Sequence, residues 1–109
     1  MKICNLQDIK DGGACQYSTS DQIDVFIVRA GQSVYGYYNS CPHTGAPLNW
    51  LPDQFLDGTG NYIQCRNHDA LFRISDGVCV HGPCIGQSLR PINLSVNDDL
   101  VSYNPHSFS

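Results

Sequence analysis

The order of apolar and polar positions along the chain predicts short strands separated by turns. The clearest strand is 23–30, where β-branched residues and Phe26 form a nearly continuous apolar run. The turn dipeptide Gly31-Gln32 follows, and 33–39 is predicted to return as a second strand, so the two segments indicate a β-hairpin. Shorter strands are predicted at 1–6, 14–18, 62–64, 70–74, 92–96 and 100–103.

Turn-forming residues dominate the middle of the chain. The segment 40–61 contains four turn-type clusters and no sustained hydrophobic period, which predicts a long loop region. Asp76-Gly77 predicts a tight hairpin turn, and 81–86 predicts another loop. Because the regular strands lie towards the two ends, we expect an all-β scaffold that presents a site built from the central loops.

The composition supports the all-β class and argues against several classes of function. All ten acidic residues among the 109 are Asp and only four residues are Ala, so strong helix formers are scarce and a helical bundle is excluded. The length suits a single domain. A formal charge of −4 argues against a nucleic-acid partner. No apolar run approaches the ~20 residues of a membrane span, and the first residues do not resemble a secretory signal, so we expect a cytoplasmic protein.

Two short motifs each combine a cysteine with a histidine. They are Cys41-Pro-His43 and Cys65-Arg-Asn-His68, and 21 residues lie between His43 and Cys65. Together they can supply two thiolates and two imidazoles to one metal site. Zinc sites usually group their cysteines in paired motifs, whereas a two-iron cluster can take the cysteines on one iron and the histidines on the other. The mixed motifs favour the two-iron cluster and leave zinc as the alternative.

The motifs resemble those of the Rieske [2Fe–2S] ferredoxins and domains. C-P-H-T-G is followed by C-x-x-H, Gly77 stands at a turn position after the second motif, and His81-Gly82-Pro83 is similar to the family's third, proline-bearing loop. The re-entry into the scaffold at 89–92 extends the resemblance over most of the chain. It implies a Rieske-like fold of small antiparallel sheets, with a β scaffold at 1–39 and 75–109 and a cluster-binding subdomain at about 40–74.

The resemblance also implies a set of ligands and neighbouring residues. Cys41 and Cys65 would bind one iron of a [2Fe–2S] cluster, and His43 and His68 would bind the other iron through ring nitrogens. The residues expected around the cluster are Pro42, Thr44, Asp69, Ala70, Phe72, Gly82 and Pro83.

The chain departs from the family's usual pattern in three places. The spacer between the motifs is longer than usual, so 53–61 is a candidate insertion. Asp69 stands where the family usually has Gly after the second ligand histidine. Neither motif loop holds the additional cysteine that the respiratory quinol-oxidising members use for a disulfide, which points to the soluble, ferredoxin-like branch.

Two positions after the second motif predict a low reduction potential. High-potential members of the family place a Ser two residues after the second ligand histidine and a Tyr two residues beyond it, but here these positions are Ala70 and Phe72. Hydroxyl groups that donate to cluster sulfurs raise the potential, and the negative charge of Asp69 opposes reduction. We therefore expect a potential near the bottom of the range of about −150 to +300 mV for Rieske centres.

The resemblance implies a function in electron transfer. We expect a soluble one-electron carrier that is not itself an enzyme and that connects a reductase donor with an oxygenase or reductase acceptor. The alternatives are the small cluster-bearing subunit of a larger reductase, similar to that of assimilatory nitrite reductase, or a zinc-binding structural or interaction module. The remaining cysteines are expected to be reduced thiols, since nothing marks the chain as secreted: Cys4, Cys15, Cys79 and Cys84.

Overall fold

The fold consists of short strands in three antiparallel sheets. The structure is a computed structural model, and it describes residues 2–18, 23–40, 42, 48, 54–65, 69–83 and 85–103. The strands are β1 Lys2–Asn5, β2 Ala14–Ser18, β3 Asp24–Ala30, β4 Ser33–Tyr38, β5 Tyr62–Gln64, β6 Leu71–Arg73, β7 Cys79–His81, β8 Pro91–Ile92, β9 Leu94–Asn97 and β10 Leu100–Tyr103. Within the described residues, the one helical element is a 3₁₀ turn at Leu6–Asp8. The predicted all-β class is therefore confirmed.

The three sheets separate a scaffold from the hairpin that carries the second motif. β2, β3, β4 and β8 form a four-stranded sheet, and β1, β10 and β9 form a three-stranded sheet that pairs the first described strand with the last. β5, β6 and β7 form the third sheet, and Cys65 directly follows β5. This sheet continues to His81, beyond the predicted end of the cluster-binding subdomain at residue 74. In the part of the chain that the structure describes, no helix has the length and apolar character needed to cross a membrane.

β3 lies between apolar clusters on both of its faces. Val25, Phe26, Ile27 and Val28 are all fully buried. Because successive side chains of a strand point to opposite faces, Phe26 and Val28 pack with residues of the third sheet, whereas Ile27 packs with residues of β1 and β10. Burial on both faces explains why this strand has a nearly continuous apolar sequence instead of an alternating one.

The prediction of one strand at 92–96 is wrong. Ile92 ends β8 and pairs with Gly36 of β4, whereas Leu94 begins β9 and pairs with Tyr103 of β10. The chain passes from one sheet to another at Asn93. The apolar pattern shows no break there because Ile92 and Leu94 both contribute to the same apolar cluster.

The loop predicted at 81–86 begins one residue too early. His81 is the last residue of β7 and pairs with Leu71 of β6. β7 has only three residues, and two of them are exposed. So short a segment carries no readable hydrophobic period, and its pairing with β6 is what makes it a strand.

Tyr37 connects the four-stranded sheet with the third sheet. Its side chain is buried, and its hydroxyl donates a hydrogen bond of 2.6 Å to the carbonyl of Ile74, the residue that follows β6. Burial raises the pKa of Tyr37 from 10.0 to about 12, with smaller contributions from the charges of Asp76 and Tyr35. The folded chain therefore favours the neutral phenol, which is the form that can donate to Ile74.

We expect Tyr37→Phe to lower the free energy of unfolding by about 1–2 kcal/mol near pH 8, since it leaves the Ile74 carbonyl without this donor. The pH dependence gives a second signature. The unfolded chain loses the Tyr37 proton near pH 10 and the folded chain near pH 12, so the contribution of Tyr37 is complete below pH 10 and is lost as the pH rises to 12.

Denaturant titrations near pH 8 and pH 11 measure both effects. Tyr62→Phe is the matched control, because Tyr62 is partly exposed on β5. Equal losses of stability between the two pH values in the wild type and in Tyr37→Phe would contradict the assignment.

Candidate metal centre

Cys65 is the one predicted cluster ligand among the described residues. Cys41, His43 and His68 lie outside them, as does Thr44 of the predicted surroundings. Cys84, one of the predicted reduced thiols, also lies outside the described residues. The ligand set from the sequence therefore stays a prediction, and the geometry of the site is given by Cys65 and by the residues around the three loops.

Two backbone hydrogen bonds fix the chain on either side of the second motif. The Cys65 N–H donates to the carbonyl of Ala70 at 2.9 Å, and the Asp69 N–H donates to the carbonyl of Cys65 at 2.8 Å. The hairpin pairing of β5 with β6 sets up this approach, since Gln64 lies opposite Leu71. Cys65 is fully buried at this closed turn, so its sulfur is held away from bulk water. A cysteine sulfur is a soft metal donor.

The backbone conformation of Asp69 explains how this residue can stand where the family usually has glycine. Its backbone has φ of 57°, in the left-handed region that glycine adopts most easily and that Asp tolerates better than most residues. The side chain is exposed, and its Oδ1 accepts a hydrogen bond of 3.3 Å from Gln64 Nε2. The turn thus keeps its shape without glycine, and the carboxylate is held beside β5.

The third loop lies against the residue that closes the second motif. The Cys79 N–H donates to the Gln87 carbonyl at 2.8 Å and the Gly86 N–H donates to the Cys79 carbonyl at 3.3 Å, which closes the loop. Within it Gly82 has φ of +106°, and a Cβ at this position would lie 2.8 Å from the Cα of Ala70. The loop can approach Ala70 this closely only because residue 82 has no side chain.

Asn39 is a residue of this region that sequence analysis missed. It follows β4, is buried, and accepts a hydrogen bond of 2.8 Å on its Oδ1 from the Leu48 N–H. Pro42, expected near the cluster, is half-buried. The signal for Asn39 was available: an amide side chain stands at the end of an apolar strand, two residues before Cys41.

One apolar cluster brings the three loop regions together. It contains Leu48 after the first motif, Cys65 of the second motif with Ala70 just after it, and Cys79 at the base of the third loop. Phe72, expected near the cluster, is fully buried in the same group. Under them, Phe26 of β3 stacks on Phe55 with 4.3 Å between ring centroids and 9° between planes. Described residues next to each of the three loops therefore share one apolar cluster with the scaffold.

The donor types predicted by the sequence fit a Rieske cluster. Among the described residues, no three His, Cys, Asp or Glu side chains lie close enough to hold a metal, so a centre at Cys65 needs donors from the segments outside them. Those segments carry Cys41, His43 and His68. Two cysteines and two histidines match the ligand set of a Rieske [2Fe–2S] cluster.

Solved structures of ferredoxins have the same fold. The ferredoxin of carbazole 1,9a-dioxygenase from Nocardioides aromaticivorans IC177 is 25% identical at a TM-score of 0.78, over 96% of this chain and 96% of that chain. The Sphingomonas yanoikuyae B1 ferredoxin is 21% identical at a TM-score of 0.76, over 95% and 96% of the two chains. A chain in the complex of reduced oxygenase and oxidized ferredoxin of carbazole 1,9a-dioxygenase is 23% identical at a TM-score of 0.78, over 96% of this chain and 92% of that chain.

Sequence comparison gives the same family. The chain matches no curated protein sequence. The model of the Rieske [2Fe–2S] domain matches residues 1–103 of the 109, a range that includes both Cys–His motifs and the third loop. Because this match spans nearly the whole chain and agrees with the fold, the chain belongs to the Rieske [2Fe–2S] domain family.

Proposed function

We propose that this chain is a one-electron carrier that holds a Rieske [2Fe–2S] cluster and passes electrons to a protein partner. The family match over residues 1–103 carries the proposal. The packing of the three loop regions on one apolar cluster supports it, because a cofactor site built from loops needs a rigid base. When bound, the cluster gains and loses a single electron.

Cys41 and Cys65 would hold one iron, and His43 and His68 the other. Burial of Cys65 keeps water from this sulfur, and the turn closed by Asp69 and Ala70 orients it. The two thiolates would balance the positive charge of the oxidised cluster core, and the neutral imidazoles would leave the second iron less electron-rich. Neither role requires a substrate pocket, so the chain would catalyse no reaction by itself.

The proposed partner is a redox protein, either an oxygenase or a reductase. The solved complex of carbazole 1,9a-dioxygenase joins a ferredoxin to its oxygenase, and this chain has the fold of such a ferredoxin. We also propose a cytoplasmic location, where thiols stay reduced.

Metal analysis and a reductive titration test this function. We expect about two irons and two sulfides per chain, and uptake of one electron per chain. A protein that holds one zinc and no sulfide after anaerobic reconstitution would overturn the proposal in favour of a zinc module. Capture of the native chain from its own cells separates carrier from subunit: a carrier dissociates from its partner on dilution, and a fixed subunit does not.

We expect the reduction potential to lie near the lower end of the range of about −150 to +300 mV, and Ala70→Ser with Phe72→Tyr to raise it. Ala70 and Phe72 are both fully buried in the apolar cluster that contains Cys65. If each new hydroxyl donates a bond that is about 1–1.5 kcal/mol stronger in the reduced state, the increase is on the order of 100 mV.

Redox titration near neutral pH measures this shift. Leu71→Thr is the control, because residue 71 points to the opposite face of β6 and its hydroxyl should leave the potential unchanged. A wild-type potential well above zero, or an equal shift in the control, would contradict the argument.

A further inference from the structure

Asn39 joins two parts of the chain through both ends of its side-chain amide. Its Oδ1 accepts from the Leu48 N–H at 2.8 Å, and its Nδ2 donates to Asp24 Oδ2 at 3.0 Å. The Asn39 backbone N–H also donates to the Asp24 carbonyl at 3.0 Å. Only 6% of Asn39 is exposed, and its bond to Leu48 is buried, so water does not compete for that bond; the bond to Asp24 is partly buried.

The network fixes which way the amide points. The Asp24 carboxylate accepts two further bonds from Gln16 Nε2, at 2.8 and 2.9 Å, which hold it in place from the neighbouring strand. Because a carboxylate can only accept and a backbone N–H can only donate, the Nδ2 of Asn39 must face Asp24 and its Oδ1 must face Leu48. An amide satisfies both partners at once.

In the sequence, Asn39 and Leu48 enclose the first Cys–His motif. Residues 40–47 between them include Cys41 and His43. Leu48 is fully buried and belongs to the apolar cluster that contains Cys65. The hydrogen bond from Leu48 to Asn39 therefore fixes the end of the first loop relative to its beginning, and it joins that loop to the core beneath the second motif.

We propose that Asn39 is a positioning residue for the first cluster-binding loop. It does not touch the cluster itself. By holding residues 39 and 48 at a fixed separation it limits the conformations of the segment that supplies Cys41 and His43, so less order has to be imposed when the iron binds. The inference rests on the proposed function, since it concerns how this chain would retain a cluster.

Asn39→Ala in the cluster-bearing protein tests this role. We expect the amide of Leu48 to exchange with deuterium about tenfold faster or more, as for the loss of a buried hydrogen bond, and iron to be lost to a chelator correspondingly faster. Gln16→Ala is the matched control, because Gln16 contacts Asp24 but not Leu48. In the control, both rates should stay within about twofold of the wild type.

The exchanged pair, Asn39→Asp with Asp24→Asn, reverses only the hydrogen bond between residues 24 and 39. The new carboxylate at 39 still accepts from the Leu48 N–H, and the new amide oxygen at 24 keeps one of the two bonds from Gln16 Nε2. The exchanged pair should restore slow exchange at Leu48 and slow iron loss, whereas Asn39→Asp alone places two carboxylates in contact and should not. This comparison also decides the question if Asn39→Ala does not fold.

The outcomes separate the positioning role from the proposed function. Wild-type protein without iron and sulfide would overturn the proposed function. Wild-type protein that holds the cluster, but whose Asn39→Ala variant loses iron no faster than Gln16→Ala, would overturn the role of Asn39 alone. An exchanged pair no better than Asn39→Asp would also overturn it.

Discussion

Cys65→Ser is expected to reduce the iron content from about two per chain to nearly none. A serine hydroxyl is a hard, weakly acidic donor that replaces the thiolate poorly, and an open iron position destabilises the whole cluster. Cys65 is fully buried within the apolar cluster, and Ser has almost the same volume, so the packing should survive the change. The loss of iron can then be assigned to the missing ligand.

Iron and sulfide assays with the visible absorption spectrum measure this effect. Cys79→Ser is the matched control: Cys79 is also a buried cysteine of the same apolar cluster, but it belongs to neither motif. We expect the control to keep its iron. Equal iron in Cys65→Ser and in the wild type, or equal loss in Cys79→Ser, would show that the ligand assignment is wrong. The same loss is expected for Cys41→Ser, His43→Ala and His68→Ala.

Gly82→Ala should lower the free energy of unfolding by roughly 2–4 kcal/mol and accelerate iron loss. Part of the cost is backbone strain, because φ of +106° at residue 82 disfavours any residue with a Cβ. The rest is steric, since the added Cβ would lie 2.8 Å from the Cα of Ala70 and 3.0 Å from its Cβ. The Ala70 carbonyl accepts from the Cys65 N–H, so a shift here disturbs the second motif directly.

Gly86→Ala separates the two contributions. Gly86 also has a positive φ, of +90°, but a Cβ there would meet no described atom within 4 Å. We expect Gly86→Ala to lower the free energy of unfolding by about 1–3 kcal/mol, from backbone strain alone, without faster iron loss. Chemical denaturation and chelator-induced bleaching measure the two effects. If both variants lose iron at the same rate, the contact between the third loop and Ala70 does not stabilise the centre.

Local patterns determined most strands of the scaffold. The prediction at 14–18 matches β2, and the predicted strands at 23–30 and 33–39 agree with β3 and β4 to within a residue at the ends, because a hairpin of adjacent strands depends on neighbouring residues and on its turn. Pairings between distant segments could not be read in this way. Neither the approach of β1 to β10 nor the change of sheet at Asn93 has a local signature, since each depends on which surfaces meet after folding.

The sequence by itself indicated the family: two cysteines and two histidines in two compact motifs resemble those of the Rieske family, to which the chain belongs. Only the tertiary structure decided how the segments around the two motifs are held. The bond from Leu48 to Asn39, the contact of Gly82 with Ala70 and the left-handed turn at Asp69 depend on distances and backbone angles that no residue pattern specifies. The physical reason is that ligand type is a property of single side chains, whereas their positioning results from packing between segments far apart in the chain.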